Sequence, residues 1–272
     1  MEISEQQAAA ALLRWYADMG VDEAVSRAPA DLYAWKGAAA SDAAQKPAMP
    51  RKASATPVTP VFQADQAAPA ADETIAAARK SAAACTSFEA LQEAVSGFEG
   101  CSLKAGAKNT VFADGVPGSD LLVIGEAPGR DEDRTGKPFV GRAGQLLDRM
   151  LAAIGRSRET DTLISNVIYW RPPGNRTPTQ VETAICRPFV ERLIELTAPK
   201  VIVLAGGAPL QALLEISGIM RARGVWRELE LASGERFPVM PIFHPAFLLR
   251  QPANKRLAWA DLQAIETRLR KG

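Results

Sequence analysis

The chain has 272 residues, of which 47% are hydrophobic, and a formal net charge of +1. That length suits one large domain with an appendage, and no apolar run approaches the length of a membrane span. The near-neutral balance announces no polyanion partner, and three cysteines give no support for a secreted disulfide framework.

The N-terminus, MEISEQQAAAALLRWYADMG, carries early acids and no basic stretch ahead of an apolar segment. It does not read as a signal peptide, so a cytoplasmic protein is expected. Ser4 to Arg27 reads as a helix, with Ser4 as N-cap and Ala11, Leu12, Trp15, Tyr16 and Met19 at helical spacing. Residues 1–36 form an N-terminal helical segment on this reading. Residues 37–72 are dominated by alanine, proline and small polar residues, too little apolar surface to offset ordering entropy. They are expected to form a disordered linker, with Lys46, Arg51 and Lys52 as solvated charges. The main domain then spans 73–272.

Glu73 to Phe98 returns to helical periodicity, and from Val111 an alternating pattern takes over. Strand-like runs fall at Leu121–Gly125, Leu163–Tyr169, Val201–Leu204 and Phe237–Phe243. Helical stretches fall at Gly144–Ile154, Thr179–Leu196, Ala208–Ile216 and Pro252–Arg270. This alternation predicts an α/β fold with a mostly parallel sheet covered by helices.

The stretch from Leu121 to Met150 organises the rest. A continuous apolar run fits a strand buried on both faces, and it ends in Gly-Glu-Ala-Pro-Gly, which forces the backbone out of the sheet. Glu126 therefore stands at the carboxyl end, where ligands bind in open α/β sheets. Asn166 within the second strand and His244 after the fourth could converge on it, and His244 is the only histidine in the chain. On residue types alone each has a plain alternative. Glu126 belongs to an ordinary strand-loop-helix connection, Asn166 bonds backbone, Phe139 is a core residue, and His244 is a hydrogen-bonded structural histidine.

The phrase Gly125-Glu-Ala-Pro-Gly129, followed by Glu132-Asp133 and the run Gly136 to Asp148, closely resembles the first motif of family 4 uracil-DNA glycosylases. The resemblance extends through several motifs in order, from about Phe98 to Leu262. It implies a three-layer α/β/α sandwich and the removal of uracil from DNA by cleavage of its N-glycosidic bond. It assigns a catalytic carboxylate to Glu126, a hydrogen bond towards the uracil oxygen to His244, and a second acid supporting loop or water to Glu132. Ala127, Phe139 and Asn166 become uracil-binding residues. Leu248, Leu249 and Arg250 become the segment that fills the space left by the base, and Arg171 and Arg176 become phosphate contacts. Uracil-containing DNA is the implied partner.

A binding module without efficient turnover is the alternative. Covalent trapping, known in a relative with a histidine in an inserted basic loop, is disfavoured because Trp170-Arg-Pro-Pro-Gly-Asn175 holds none. An α/β nucleotide-binding protein is disfavoured because neither a Walker A motif nor a G-x-G-x-x-G fingerprint follows a strand.

The resemblance breaks at one place. The family usually holds a [4Fe–4S] cluster on four cysteines. Here Phe98 stands where the first belongs, Cys101 and Cys186 match the second and third, and Pro199 to Gly206 contains no cysteine for the fourth. Cys85, the remaining cysteine, lies 16 residues before Cys101 rather than three. The expectation is that no cluster or other metal is bound. Apolar side chains such as Phe98 would fill the place, with Cys101 and Cys186 as small buried residues.

Overall fold

The computed structural model describes residues 67–271, with side chains from 71 onward; the helix expected over Ser4–Arg27 and most of the linker lie outside the described residues. Helix α1, Ala67–Ala83, begins six residues ahead of the expected start at Glu73. Alanine is the best helix former, and Pro69 falls in the first turn, where its missing N–H costs nothing. Helix α2, Phe88–Gly97, is opened by Ser87, whose Oγ accepts the Ala90 N–H at 3.2 Å.

The sheet has six strands: β1 (Ala113–Gly115), β2 (Leu121–Gly125), β3 (Thr162–Asn166), β4 (Val201–Ala205), β5 (Arg227–Glu230) and β6 (Arg236–Ile242), in the order β1-β3-β2-β4-β6-β5. The four central strands are parallel and the two edges antiparallel. The edges escape the apolar pattern because they are short and polar: β1 reads Ala-Asp-Gly, and in β5 only Leu229 is buried.

Three further differences concern boundaries. The run Leu163–Tyr169 leaves the sheet at Asn166, because β2 ends opposite it at Gly125. The amides of Val167 and Ile168 still donate to the carbonyls of Gly125 and Glu126, at 2.9 and 3.0 Å. The charged loop after β2 contains helix α3, Arg130–Thr135, and is followed by α4, Arg142–Ala152. The helix expected over Pro252–Arg270 is a 3₁₀ turn at Pro252–Asn254 and then a long helix, Lys255–Lys271. Between them in the chain come α5 (Gln180–Thr197), α6 (Gly207–Leu214), α7 (Ile219–Ala222) and α8 (Pro245–Arg250), which makes Lys255–Lys271 α9.

Alternation along β2 separates two cores. Leu122 and Ile124 join a cluster with Leu91, Val95, Phe189 and Leu193, from α2 and α5. Leu121 and Val123 face Leu147, Leu151, Leu262 and Ile265, from α4 and α9. The result is the expected three-layer α/β/α sandwich. Since β3 and β4 lie on opposite sides of β2, the strand order reverses there, and the crevice that binds ligands opens beyond its carboxyl end. No described helix is long and apolar enough to cross a membrane.

Candidate active site

A cavity of about 480 Å³ lies at that crevice, and Glu126, Ala127, Phe139, Asn166 and His244 all line it, with Glu132, Arg176 and Arg250 at its walls. The sequence motifs supplied these residues from four separated segments. The sheet brings them together because three of them follow or end parallel strands.

Two glycines make the convergence sterically feasible. A side chain at Gly125 would overlap Asn166 Oδ1 and the Phe139 ring, so both groups lean over the end of β2. At Gly206, with φ of +109°, a Cβ would stand 3.2 Å from the Cβ of His244. The histidine reaches the pocket over the bare end of β4, and the Gly206 amide donates to the Ile242 carbonyl at 2.9 Å to hold the two strand ends together.

His244 is the N-cap of α8, and its Nδ1 accepts the Ala246 N–H at 3.1 Å. An Nδ1 that accepts is unprotonated, so the neutral ring carries its proton on Nε2. Burial pushes its pKa down to about 4, the positive charge of Arg250 adds to that, and Glu132 opposes it. At neutral pH the ring is an uncharged donor. Glu126 moves the other way: burial lifts its carboxyl above the usual carboxylate range. Among the described residues neither the Glu126 carboxylate nor the Asn166 amide has a hydrogen-bond partner, although Asn166 is only 2% exposed. A polar side chain as buried as Asn166 normally finds a partner; Glu126 is half-buried, and both line the cavity.

Phe139 is 6% exposed and its ring stacks on His244, with centroids 5.6 Å apart and planes at 29°. Its backbone has φ of +53°, in the left-handed region. A bulky residue there costs roughly 1–3 kcal/mol and persists only where the surroundings impose it. Glu132 is one of those surroundings. Its carboxylate accepts the amides of Gly129 (3.1 Å), Val140 (2.9 Å) and Gly141 (2.9 Å). The second acid thus fastens the loop after β2 to the loop bearing Phe139.

The residues expected to meet DNA divide. Arg250 is exposed and lines the cavity, and Leu249 is partly exposed. Leu248, expected beside Leu249 in the space-filling segment, is 1% exposed and packs in the core beneath α8. One face of so short a helix must be buried, and Leu248 occupies it, leaving Phe247 and Leu249 partly exposed. Arg176 is held bidentately by Glu182, at 2.6 and 2.9 Å, and Glu182 also accepts the Thr179 amide at the start of α5. The charge expected to meet phosphate is therefore engaged within the chain. Arg171 donates to Asn175 Oδ1 at 2.8 Å and shapes the same loop.

Sequence reasoning missed two features. Arg158, between α4 and β3, binds the backbone at Phe139, and no local pattern marks it. A second cavity of about 290 Å³ lies on the other side of Glu126, between α5 and α6.

The residues around Cys101 do not fit a four-thiolate cluster. Cys101 and Cys186 are buried side by side; the neighbouring thiol and complete burial hold the Cys186 thiol well above its usual range. The Phe98 ring meets Phe189 edge-on at 5.1 Å and lies over Gly100, where a first ligand would be needed. Cys85 belongs to the α1–α2 turn, donating to the Ser81 carbonyl at 3.2 Å. Among the described residues no group of three or more His, Cys, Asp or Glu is arranged to hold a metal ion. The hydroxyl of the fully buried Tyr169 has no partner among them.

Comparison with known proteins gives a consistent result. Residues 112–263 match the model of the Uracil DNA glycosylase superfamily. The chain is 36% identical over 186 residues to the type-4 uracil-DNA glycosylase of Thermotoga maritima, covering 68% of this chain and 95% of that protein. It is 40% identical over 170 residues to the type-4 uracil-DNA glycosylase of Archaeoglobus fulgidus, covering 61% and 84%. The corresponding protein of Sulfurisphaera tokodaii is 34% identical over 187 residues, with 66% and 83% covered.

Proposed function

Since the chain belongs to the uracil DNA glycosylase superfamily, we propose that it excises uracil from DNA, leaving an abasic site that starts base-excision repair. The observation that carries this reading is the set Glu126, Phe139, Asn166 and His244 lining one cavity at the reversal of strand order.

A base stacked in DNA is beyond the reach of such a cavity, so the uracil nucleotide swings out into it. The Phe139 ring offers an apolar face for stacking. Asn166 has one acceptor and one donor to match the N3–H and O4 of uracil. Cytosine, with an amino group at C4 and a bare N3, reverses both. As the C1′–N1 bond breaks, its electron pair leaves with the base and the sugar becomes oxocarbenium-like. The neutral Nε2–H of His244 meets the charge growing on the uracil O2. The Glu126 carboxylate stabilises the cationic sugar and orients the water whose oxygen bonds C1′. That water loses its proton, and the departing uracil anion is protonated.

The reaction on this reading needs no iron–sulfur cluster. Two thiols, a phenylalanine and the all-aliphatic β4 stand at the family's ligand positions, and each acts by filling space.

The test is excision from a uracil-containing oligonucleotide, read as alkali-sensitive strand breaks, with iron assayed in the same preparation. Glu126→Ala and His244→Ala should each lose about 10²–10⁴-fold in rate; Glu126→Ala should melt close to wild type, and His244→Ala somewhat lower because the cap of α8 is lost. Activity should rise with pH as the Glu126 carboxyl, held above its usual range, ionises. No second step should appear through pH 6–7, because His244 is already neutral above about 4. Binding of uracil-DNA without breaks would make the protein a recognition module. Stoichiometric iron would overturn the cluster-free reading.

A further inference from the structure

We propose that Arg158 is a positioning residue that holds the Phe139 ring over the uracil pocket by gripping the backbone carbonyls on which that ring depends. The proposal rests on the reading of the cavity as a uracil site and deepens it. A guanidinium has five N–H donors in a fixed fork, and Arg158 makes four hydrogen bonds with it. Nε donates to Asp148 Oδ1 at 2.9 Å, and Nη2 approaches the same oxygen at 2.7 Å. Nη1 donates to Asp114 Oδ2 at 3.1 Å and to the Pro138 carbonyl at 2.9 Å. Nη2 donates to the Phe139 carbonyl at 2.8 Å.

The two carboxylates fix the plane of the fork, and the fork fixes two successive carbonyls of the loop. On the far side of Phe139, Glu132 accepts the next two amides, those of Val140 and Gly141. Below, Gly144 lies so close that any side chain there would overlap the Phe139 carbonyl. The left-handed backbone at Phe139 is thus bounded on three sides, and Arg158 supplies the side anchored to β1 through Asp114. Lysine keeps the charge but presents three donors from a single point, so it cannot span both carbonyls and both carboxylates.

The experiment is a double-mutant cycle in the full-length protein, measuring kcat and KM on a uracil-containing oligonucleotide below each variant's melting temperature. Arg158→Lys should lower kcat about 10–100-fold, the scale of loss expected when a reacting group is misplaced by about 1 Å, with a smaller change in KM. In a Phe139→Ala background the same lysine substitution should change kcat by less than about twofold, because the group it positions is gone. Gly144→Ala, which disturbs the Phe139 carbonyl from beneath and leaves Arg158 intact, should behave in the same way. If Arg158→Lys does not fold, Asp114→Asn, which weakens the anchor of the fork while keeping Arg158 and Phe139, decides the matter: it should lower kcat in the same direction by a smaller factor, and no change would overturn the clamp. A wild-type rate in Arg158→Lys, or an equal loss in both backgrounds, would overturn the clamp alone. A wild-type protein that leaves uracil in place would overturn the pocket reading, and the clamp with it.

Discussion

The pocket at the strand ends and the helical face around Cys101 and Cys186 sit on one scaffold, but they treat polar atoms in opposite ways. In the pocket, the half-buried Glu126 and the buried Asn166 have no hydrogen-bond partner among the described residues, and Phe139 keeps a costly backbone conformation. Around Cys101, two buried thiols lie side by side and Phe98 packs on Phe189. The difference follows from what each region must supply. Excision needs particular donors and acceptors at particular points, so no apolar residue can stand in. A region that only joins elements needs volume, and aromatic rings provide it.

The largest expected effect breaks the pocket side of that comparison. Asn166→Asp keeps size and replaces the amide donor by a carboxylate, leaving uracil O4 facing an acceptor. Excision should fall by at least about 10³-fold, since sites built on buried hydrogen bonds reject mismatched partners by such factors. The melting temperature should fall as well, because a carboxylate only 2% exposed beside Glu126 is desolvated without a partner, so excision is compared below each protein's melting temperature. A smaller loss would mean that Asn166 is not what reads the base.

The next effect probes the region around Cys101. Phe98→Cys restores a thiol at the first ligand position but removes the ring that packs on Phe189. It should destabilise the protein by about 2–3 kcal/mol, the low end for losing a phenylalanine ring because Phe98 is only partly buried. No iron should be taken up on reconstitution, since the fourth position in β4 remains aliphatic. Iron uptake with raised stability would show that the region still holds a cluster-shaped site. The smallest effect is Tyr169→Phe, which removes a buried hydroxyl left without a partner among the described residues. Stability should rise by about 1 kcal/mol, or roughly 2–4 °C in a thermal melt. A loss instead would reveal a partner for that hydroxyl.

How much of this was legible in the sequence depended on the range over which each feature is decided. Leu121–Gly125 announces a buried parallel strand by itself, and Glu126 follows as the residue leaving the sheet. Val201–Ala205 is equally plain. The antiparallel edges β1 and β5 carry no such run, because a strand paired on one side tolerates polar residues. The inward turn of Leu248 could not be chosen from two adjacent leucines, because it depends on α8 starting at Pro245. The bond between Arg176 and Glu182 was closer to hand: Thr179 and Glu182 have capping-box spacing, which ties the Glu182 carboxylate to a helix start. Arg158 was out of reach, since the backbone and carboxylate groups it binds lie 10 to 44 residues away. Local pattern describes what a segment is, and says little about which distant backbone it grips.

The chain contains one histidine, and its ring lies against Phe139 inside the cavity. Every imidazole resonance of the whole protein therefore originates in the pocket. Proton and nitrogen spectra need no labelling scheme to be site-specific: the shift of one ring reports its tautomer, its titration and the arrival of a base above its neighbour. The molecule carries its own probe, placed where the reaction is expected to happen.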